Sequence, residues 1–488
     1  MHRSVFLHKT HSQLTPPVIN YLCFPVFLPK GLVLLMEQAQ KRSLMEVDFL
    51  RGPIFSSLLL FSIPLLISNI FQQVYNIADT MIVGHFLGDT SLAAIGACSA
   101  IYDLLIGFAL GIGSGLSVVT ARCYGSGDRE LLKRSVACAI VIGLVTSTVI
   151  GLGGSLMLRP LLELLHTPAE IIDQSYSYIS LIALFTVVMF AYNLCSGFLR
   201  AIGNSLMPLL FLIFSSVVNI GLDILFITRF DMGVQGAAIA TVIAQGISAV
   251  LCIAYILLRC PLLVPKKEHF RQNKRLYREM TAQGLSMGFM SSIVSIGSVI
   301  LQSSINGLGT LIIAGHTAAR KLFNLFTMPI STIAMAMATF VSQNRGARQS
   351  SRIRTALKYS YVFDFVSTAL IVLLLILFAP QMVQLISGSA DPIVIANGAR
   401  YVRLSSPFYF VLGILLQARN SLQGIGEKML PLISSVIELL GKILFVALLI
   451  PHFQYEAVIW CEPVIWCAMT VQLVISLYTC PFMRGKEE

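Results

Sequence analysis

Residues 206–228 read LMPLLFLIFSSVVNIGLDILFIT, twenty-three residues with one ionisable side chain, Asp223. A helix on the surface of a soluble protein keeps a broad charged and polar face; this one has only a narrow stripe of Ser215, Asn219 and Asp223. About 20 residues at 1.5 Å each span the roughly 30 Å hydrocarbon core of a bilayer, so the segment is a membrane crossing. On either side the same reading repeats. Crossings are expected near 58–82, 93–118, 135–157 and 178–198 before it. Others follow near 237–258, 282–304, 312–336, 358–379, 400–422, 431–450 and 458–480. The runs are continuously apolar rather than alternating, which excludes a transmembrane β-barrel. The fold class is an all-α membrane protein with twelve transmembrane helices in two bundles of six.

Composition agrees. Charged residues are 12% of the 488, and hydrophobic residues 56%, against about 25% charged in soluble domains. A soluble enzyme, a nucleic-acid binder and a disordered chain are thereby excluded. The net charge of +11 comes from 34 Lys and Arg against 23 Asp and Glu, and its distribution is topological. Leaving out residues 1–35, twenty-four basic residues fall before the first crossing, after the last, or in the 2–3, 4–5, 6–7, 8–9 and 10–11 connections. Only Arg159, Arg229, Arg400 and Arg403 fall in the others. The positive-inside rule then places both termini in the cytoplasm, and no nucleic-acid partner is needed. The ten cysteines include no C-x-x-C pair, so neither a zinc site nor a disulfide framework is expected.

Two halves correspond. Gly203 and Pro208 in the first match Gly426 and Pro431 in the second, both 223 residues later. The connection Tyr124–Arg129 matches Asn344–Arg348. Six crossings per half relate the halves by an axis along the membrane normal, with a cavity between lobes that opens alternately to each side. The expected organisation is an appendage over 1–50, an amino-terminal lobe over 51–262, a basic linker over 263–281 and a carboxy-terminal lobe over 282–488. Residues 1–35, with Pro25 and Pro29 breaking an apolar run, read as lying outside the fold, with Met36 or Met45 the natural start. No G-x-x-x-x-G-K-[ST] motif occurs, so ATP is not the drive within this chain.

A charge at mid-bilayer costs about 2.5–3.5 kcal/mol on insertion scales, so acids inside crossings point to function. Asp79 lies in the first, three residues after Asn76 and on the same helix face. Asn219 and Asp223 share a face of the fifth, and Thr241 adds a hydroxyl in the sixth. Oxygen donors of this kind suit H⁺ or Na⁺; the alternative is hydrogen-bonded glue between helices. In the second half, Glu438 and Lys442 are spaced as a self-neutralising pair. Glu462 reads as solvated near the outer surface, and His316, near Arg320 and Lys321, as a polar helix end. Asp103 faces either the cavity or a polar partner. Asp364 lies in the ninth crossing.

The residues Ile63-Pro64, Gln72-Gln73-Val-Tyr-Asn-Ile-Ala-Asp79, Ala93-Ala94-Ile-Gly96, Gly197-Phe-Leu-Arg-Ala-Ile-Gly203, Asn219-Ile-Gly-Leu-Asp223, Ser342-Gln-Asn-Arg-Gly346 and Gly424-Ile-Gly426 resemble the multidrug and toxic compound extrusion (MATE) family over residues 50–483. The resemblance implies an antiporter, not an enzyme. It exports organic, often cationic compounds across the cell membrane against H⁺ or Na⁺, needs no cofactor, and works as a monomer in the lipid bilayer on a small amphipathic substrate. Members of the DinF type join a first-helix acid to Asn and Asp on the fifth and Thr on the sixth, the pattern Asp79, Asn219, Asp223 and Thr241 match. Other members carry a carboxy-lobe site with acids on the seventh and tenth helices, which this sequence lacks. Pro64 is the expected bend point of the first helix. The nearest rival is a lipid-linked oligosaccharide flippase of the same superfamily, which would want a more cationic groove. A major-facilitator-type transporter, a channel and an intramembrane enzyme fit less well.

Overall fold

The computed structural model describes residues 46–485 apart from 166 and 272; the reading of residues 1–45 therefore lies outside the described residues. Every regular element described is helical. They are α1 (Ile54–Gly125), α2 (Arg129–Leu164), α3 (Ile172–Leu184), α4 (Thr186–Ala201), α5 (Leu206–Thr228), α6 (Gly233–Arg259), α7 (Lys274–Asn306), α8 (Thr310–Gly346), α9 (Ser350–Ser387), α10 (Pro392–Ser405), α11 (Tyr409–Ile425), α12 (Met429–Leu444), α13 (Ile450–Phe453) and α14 (Tyr455–Thr479). Among the described residues nine helical stretches are long and apolar enough to cross a membrane, and the bent pair α3–α4 makes a tenth. α1 supplies two crossings and α10–α11 another, which gives the expected twelve.

Local chemistry sets each break. α1 is 72 residues long, and Gly88, at φ 79° and ψ −179°, is its one non-helical residue; that region is open essentially to glycine alone. Pro64 sits inside helical backbone of the first crossing, and the break at Gly88 separates the first crossing from the second. The fourth crossing bends by 47° at Phe185. There the Thr186 hydroxyl donates to the Ile182 and Ala183 carbonyls at 3.2 and 2.8 Å, back-bonding that bends helices. Pro407 lacks the N–H to continue α10 into α11. In the eleventh crossing a π turn over Phe445–Leu449 precedes Pro451.

The two halves meet backbone to backbone. Gly111 and Gly115 of α1 cross Gly284 and Gly288 of α7, each pair four apart. A Cβ on Gly111 would sit 2.6 Å from the Met287 carbonyl oxygen, and one on Gly115 2.7 Å from that of Gln283. This is the small-residue contact that lets membrane helices pack closely. At the basic end the approach is tighter. A Cβ on Gly125 would lie 1.9 Å from the Gln343 carbonyl oxygen, and one on Gly346 2.0 Å from that of Arg122. Arg122 pairs with Glu279, and the Gln343 amide donates to the Ala201 carbonyl at 2.8 Å.

Val47 and Phe49, within the stretch set apart by sequence as 1–50, are buried. The Val47 amide donates to Gly203, and the Asn344 side chain to the Phe49 carbonyl. The packed bundle thus begins before residue 51. Away from the basic end the first crossing stands open: Val74, Ile77 and Met81 are each more than half exposed, and Gln72, Gln73 and Asn76 are exposed beside them.

Candidate functional site

α1, α5 and α6 converge in the half of the first lobe away from the basic end. Asn219 and Asp223 are buried on one face of α5, at 2% and 0% exposure, because their four-residue spacing stacks them one turn apart. Asp79 descends from α1, half-buried, and its carboxyl comes within hydrogen-bonding reach of the Asp223 carboxyl. Asn219 and Thr241 line a cavity beside them, roughly large enough for one small species, together with Tyr75, Ser215, Ser216 and Gln245. Both Asp223 oxygens, Asp79 Oδ1 and both polar atoms of the Asn219 amide are buried with no protein hydrogen-bond partner. Buried polar atoms are normally satisfied; here several orphans face one another.

Two neighbouring carboxylates with buried, unpartnered oxygens cannot both stay bare. A proton or a cation between them removes the repulsion, and Asn219 and Thr241 add neutral oxygen donors suited to a hard cation. Among the described residues no group of three or more His, Cys, Asp or Glu is placed to hold a metal ion. Tyr75 and Gln245 were not singled out by sequence; both are common in helix packing, and only the fold brings them to the cavity.

Two further candidates stand apart. Asn76 is exposed, and Thr80 donates to its carbonyl; it does not join Asp79. Asp103 is exposed on the second crossing.

The second lobe corrects two expectations. Glu462 is not solvated: its side chain is 10% exposed and takes a 2.5 Å hydrogen bond from Arg320, with the Tyr401 hydroxyl at 3.4 Å. His316 is not a polar helix end but a buried ring, edge-on to Tyr401 at 5.0 Å and 3.5 Å from the Tyr455 hydroxyl. An arginine inside an apolar helix needs an acid, and that rule could have joined Arg320 to Glu462. Glu438 and Lys442 pair at 2.9 Å as their spacing predicts, with Arg419 3.8 Å from Glu438. Asp364 is buried and accepts from Gln417 at 2.8 Å.

With this geometry in place, comparison with known proteins is direct. The MatE family model matches the chain twice, over residues 64–225 and 287–448, and the two matches lie 223 residues apart, the offset of the internal repeat. The probable multidrug resistance protein YoeA of Bacillus subtilis is 26% identical over 431 residues, covering 87% of this chain and 92% of that protein. The multidrug export protein MepA of Staphylococcus saprophyticus is 22% identical over 88% of this chain and 95% of its own. A FAD transporter of Shewanella oneidensis is 24% identical over 80% and 86%. Among solved structures, a MATE crystal structure in the bent conformation has a TM-score of 0.82 at 22% identity, covering 91% of this chain and 99% of that one. These likenesses confirm the two-lobe, twelve-helix fold.

Proposed function

The chain belongs to the MatE family of membrane transporters, and from that premise we propose that it is an antiporter. It exports small amphipathic organic compounds, often cations, across the plasma membrane in exchange for H⁺ or Na⁺. The protein works as a monomer, with the basic end and both termini in the cytoplasm. Residues 51–262 and 282–488 are the moving lobes, and the basic segment 263–281 links them.

The observation that carries this reading is the set of buried, unpartnered oxygens on Asp79, Asn219 and Asp223. The first crossing, which bears Asp79, also forms part of the lobe interface: Asn69 donates to Thr332 of α8 at 3.2 Å. Neutralising the carboxylate pair removes a repulsion between α1 and α5 and so alters how α1 rests against the other lobe. The tight glycine contacts at the basic end support an outward-open state, in which ions reach the pair from outside. Binding there lowers the retention of substrate in the cavity; lobe closure then carries the ion inward. One charge moving through 100 mV supplies about 2.3 kcal/mol. Coupling requires the ion to prefer one state of the lobes over the other.

In the second lobe Arg320, Lys442 and Arg419 each contact a carboxylate. That pairing does not favour a flippase groove for pyrophosphate. Ethidium transport in proteoliposomes, under an imposed pH gradient and then an imposed Na⁺ gradient, tests the proposal. Stimulation by one gradient is expected, and flux indifferent to both would overturn it.

A further inference from the structure

The internal duplication gives each lobe a pocket on its lipid-facing side, and the two differ in chemistry. In the first lobe a cavity of about 320 Å³ lies between α2, α4 and α6; in the second, one of about 280 Å³ lies between α9, α11 and α14. They are equivalent positions. Ile140, Gly143 and Leu144 correspond to Tyr361, Asp364 and Phe365, all 221 residues later, and Val187 corresponds to Phe410, 223 later.

The first pocket is apolar apart from Ser147, whose hydroxyl donates to the Leu144 carbonyl at 3.2 Å. Gly143 is glycine there because Phe190 occupies the space: a Cβ would sit 2.5 Å from its ring, with Leu194 3.3 Å away. In the second lobe every one of these three residues is exchanged. Asp364 stands where Gly143 stands, Gly413 replaces Phe190, and Gln417 replaces Leu194. A Cβ on Gly413 would be 3.5 Å from that of Asp364: loss of the phenyl ring makes the room that the carboxylate fills. The fold tolerates the apolar version, as the first lobe demonstrates, so packing alone does not call for an acid.

Asp364 lines this pocket at 5% exposure. Gln417 donates to its Oδ2, but Oδ1 has no partner, nor has the hydroxyl of Thr368 one turn on. Among the described residues it joins no ion pair. The walls have become aromatic. Phe365 and Phe410 lie 5.1 Å apart, and Tyr361 and Tyr478 also line the pocket. Phe365 and Tyr478 form the mouth and are 64% and 52% exposed, beside the exposed Val362 and Val366 on a surface that meets hydrocarbon. A carboxylate among aromatic faces attracts an organic cation by charge and by the ring quadrupoles, and an opening toward lipid admits one already dissolved in the bilayer. Asp364 lies six residues, about 9 Å, past the start of the crossing expected at 358, within the basic-side leaflet of a roughly 30 Å core.

We propose that the pocket at Asp364 is a second binding site, for lipophilic organic cations that enter from the bilayer. Its role in export rests on the antiporter reading; its existence does not, because binding is measured without transport. The test is equilibrium binding of radiolabelled tetraphenylphosphonium to the full chain in nanodiscs, beside the uncharged triphenylphosphine oxide. Asp364→Asn keeps an acceptor for Gln417 and removes only the charge. It is expected to weaken tetraphenylphosphonium binding about 10- to 100-fold and leave the uncharged compound unaffected. The triple variant Asp364→Gly/Gly413→Phe/Gln417→Leu installs the first lobe's own arrangement, so it should fold and also lose this binding. Unchanged tetraphenylphosphonium affinity in both variants would overturn the proposal. So would loss of radiolabelled Na⁺ binding in Asp364→Asn with tetraphenylphosphonium binding intact, which would mark an inorganic cation site instead.

Discussion

Gly125→Ala adds one methyl group at the tightest point between the lobes. Its Cβ would lie 1.9 Å from the Gln343 carbonyl oxygen, about 1.5 Å short of an ordinary 3.4 Å contact. The obstacle is main chain in the last turns of α8, so no side-chain rotation relieves it. The Gly346 position repeats the clash from the other side, at 2.0 Å from Arg122, so the basic end has no slack. Overpacking of this kind costs about 1–3 kcal/mol. The cost falls only on the conformation closed at the basic end, so the ratio of open to closed shifts roughly 5- to 150-fold. Spin labels at the exposed positions Arg129 and Ser351, in opposite lobes at that end, would report it by pulsed electron paramagnetic resonance. The distribution should move to longer distances in Gly125→Ala, with slower ethidium export. Distances and export matching the wild type would refute the view that these glycines close the gate.

Weaker and deeper contacts should answer differently. The Arg122–Glu279 pair is partly exposed and is worth only about 0–1 kcal/mol, so Arg122→Gln should shift the same distances far less than Gly125→Ala. Glu462→Gln leaves Arg320 without its carboxylate and should destabilise the protein by about 3–5 kcal/mol. Arg320→Met/Glu462→Leu should recover most of that loss; thermal unfolding in detergent compares the two, and equal losses would contradict a buried ion pair. Thr241→Val removes one neutral oxygen from the amino-lobe cavity and should raise the Na⁺ or H⁺ concentration for half-maximal export several-fold, with folding intact by the same melting assay.

The crossings were legible because hydrocarbon leaves no choice: an apolar run of twenty residues with Lys and Arg on one side has one stable place. The repeat was legible from Gly203 and Gly426, since a required glycine resists drift. Asp79 and Asp223 stood out because an acid in a helix core is too costly to be idle; that they group with Asn219 and Thr241 was what the family resemblance implied. What the sequence hid depends on contacts between distant helices. Glu462 sits near the start of α14 beside Pro463, where solvation and burial look alike in the sequence; only Arg320, 142 residues earlier, decides between them. His316 read as a helix end because polar neighbours follow it, yet Tyr401 and Tyr455 enclose it. The break at Gly88 lay in a short connection, and helical geometry continues through the rest of that connection. Asp364 acquires meaning only when Gly143 is recognised as its counterpart.

The most direct test of ion coupling is gradient-driven ethidium transport by Asp79→Asn, Asp223→Asn and the double variant in proteoliposomes, set beside substrate exchange without a gradient. Loss of the gradient-driven component in all three, with exchange retained, is the predicted result. Wild-type energised transport in the double variant would contradict it.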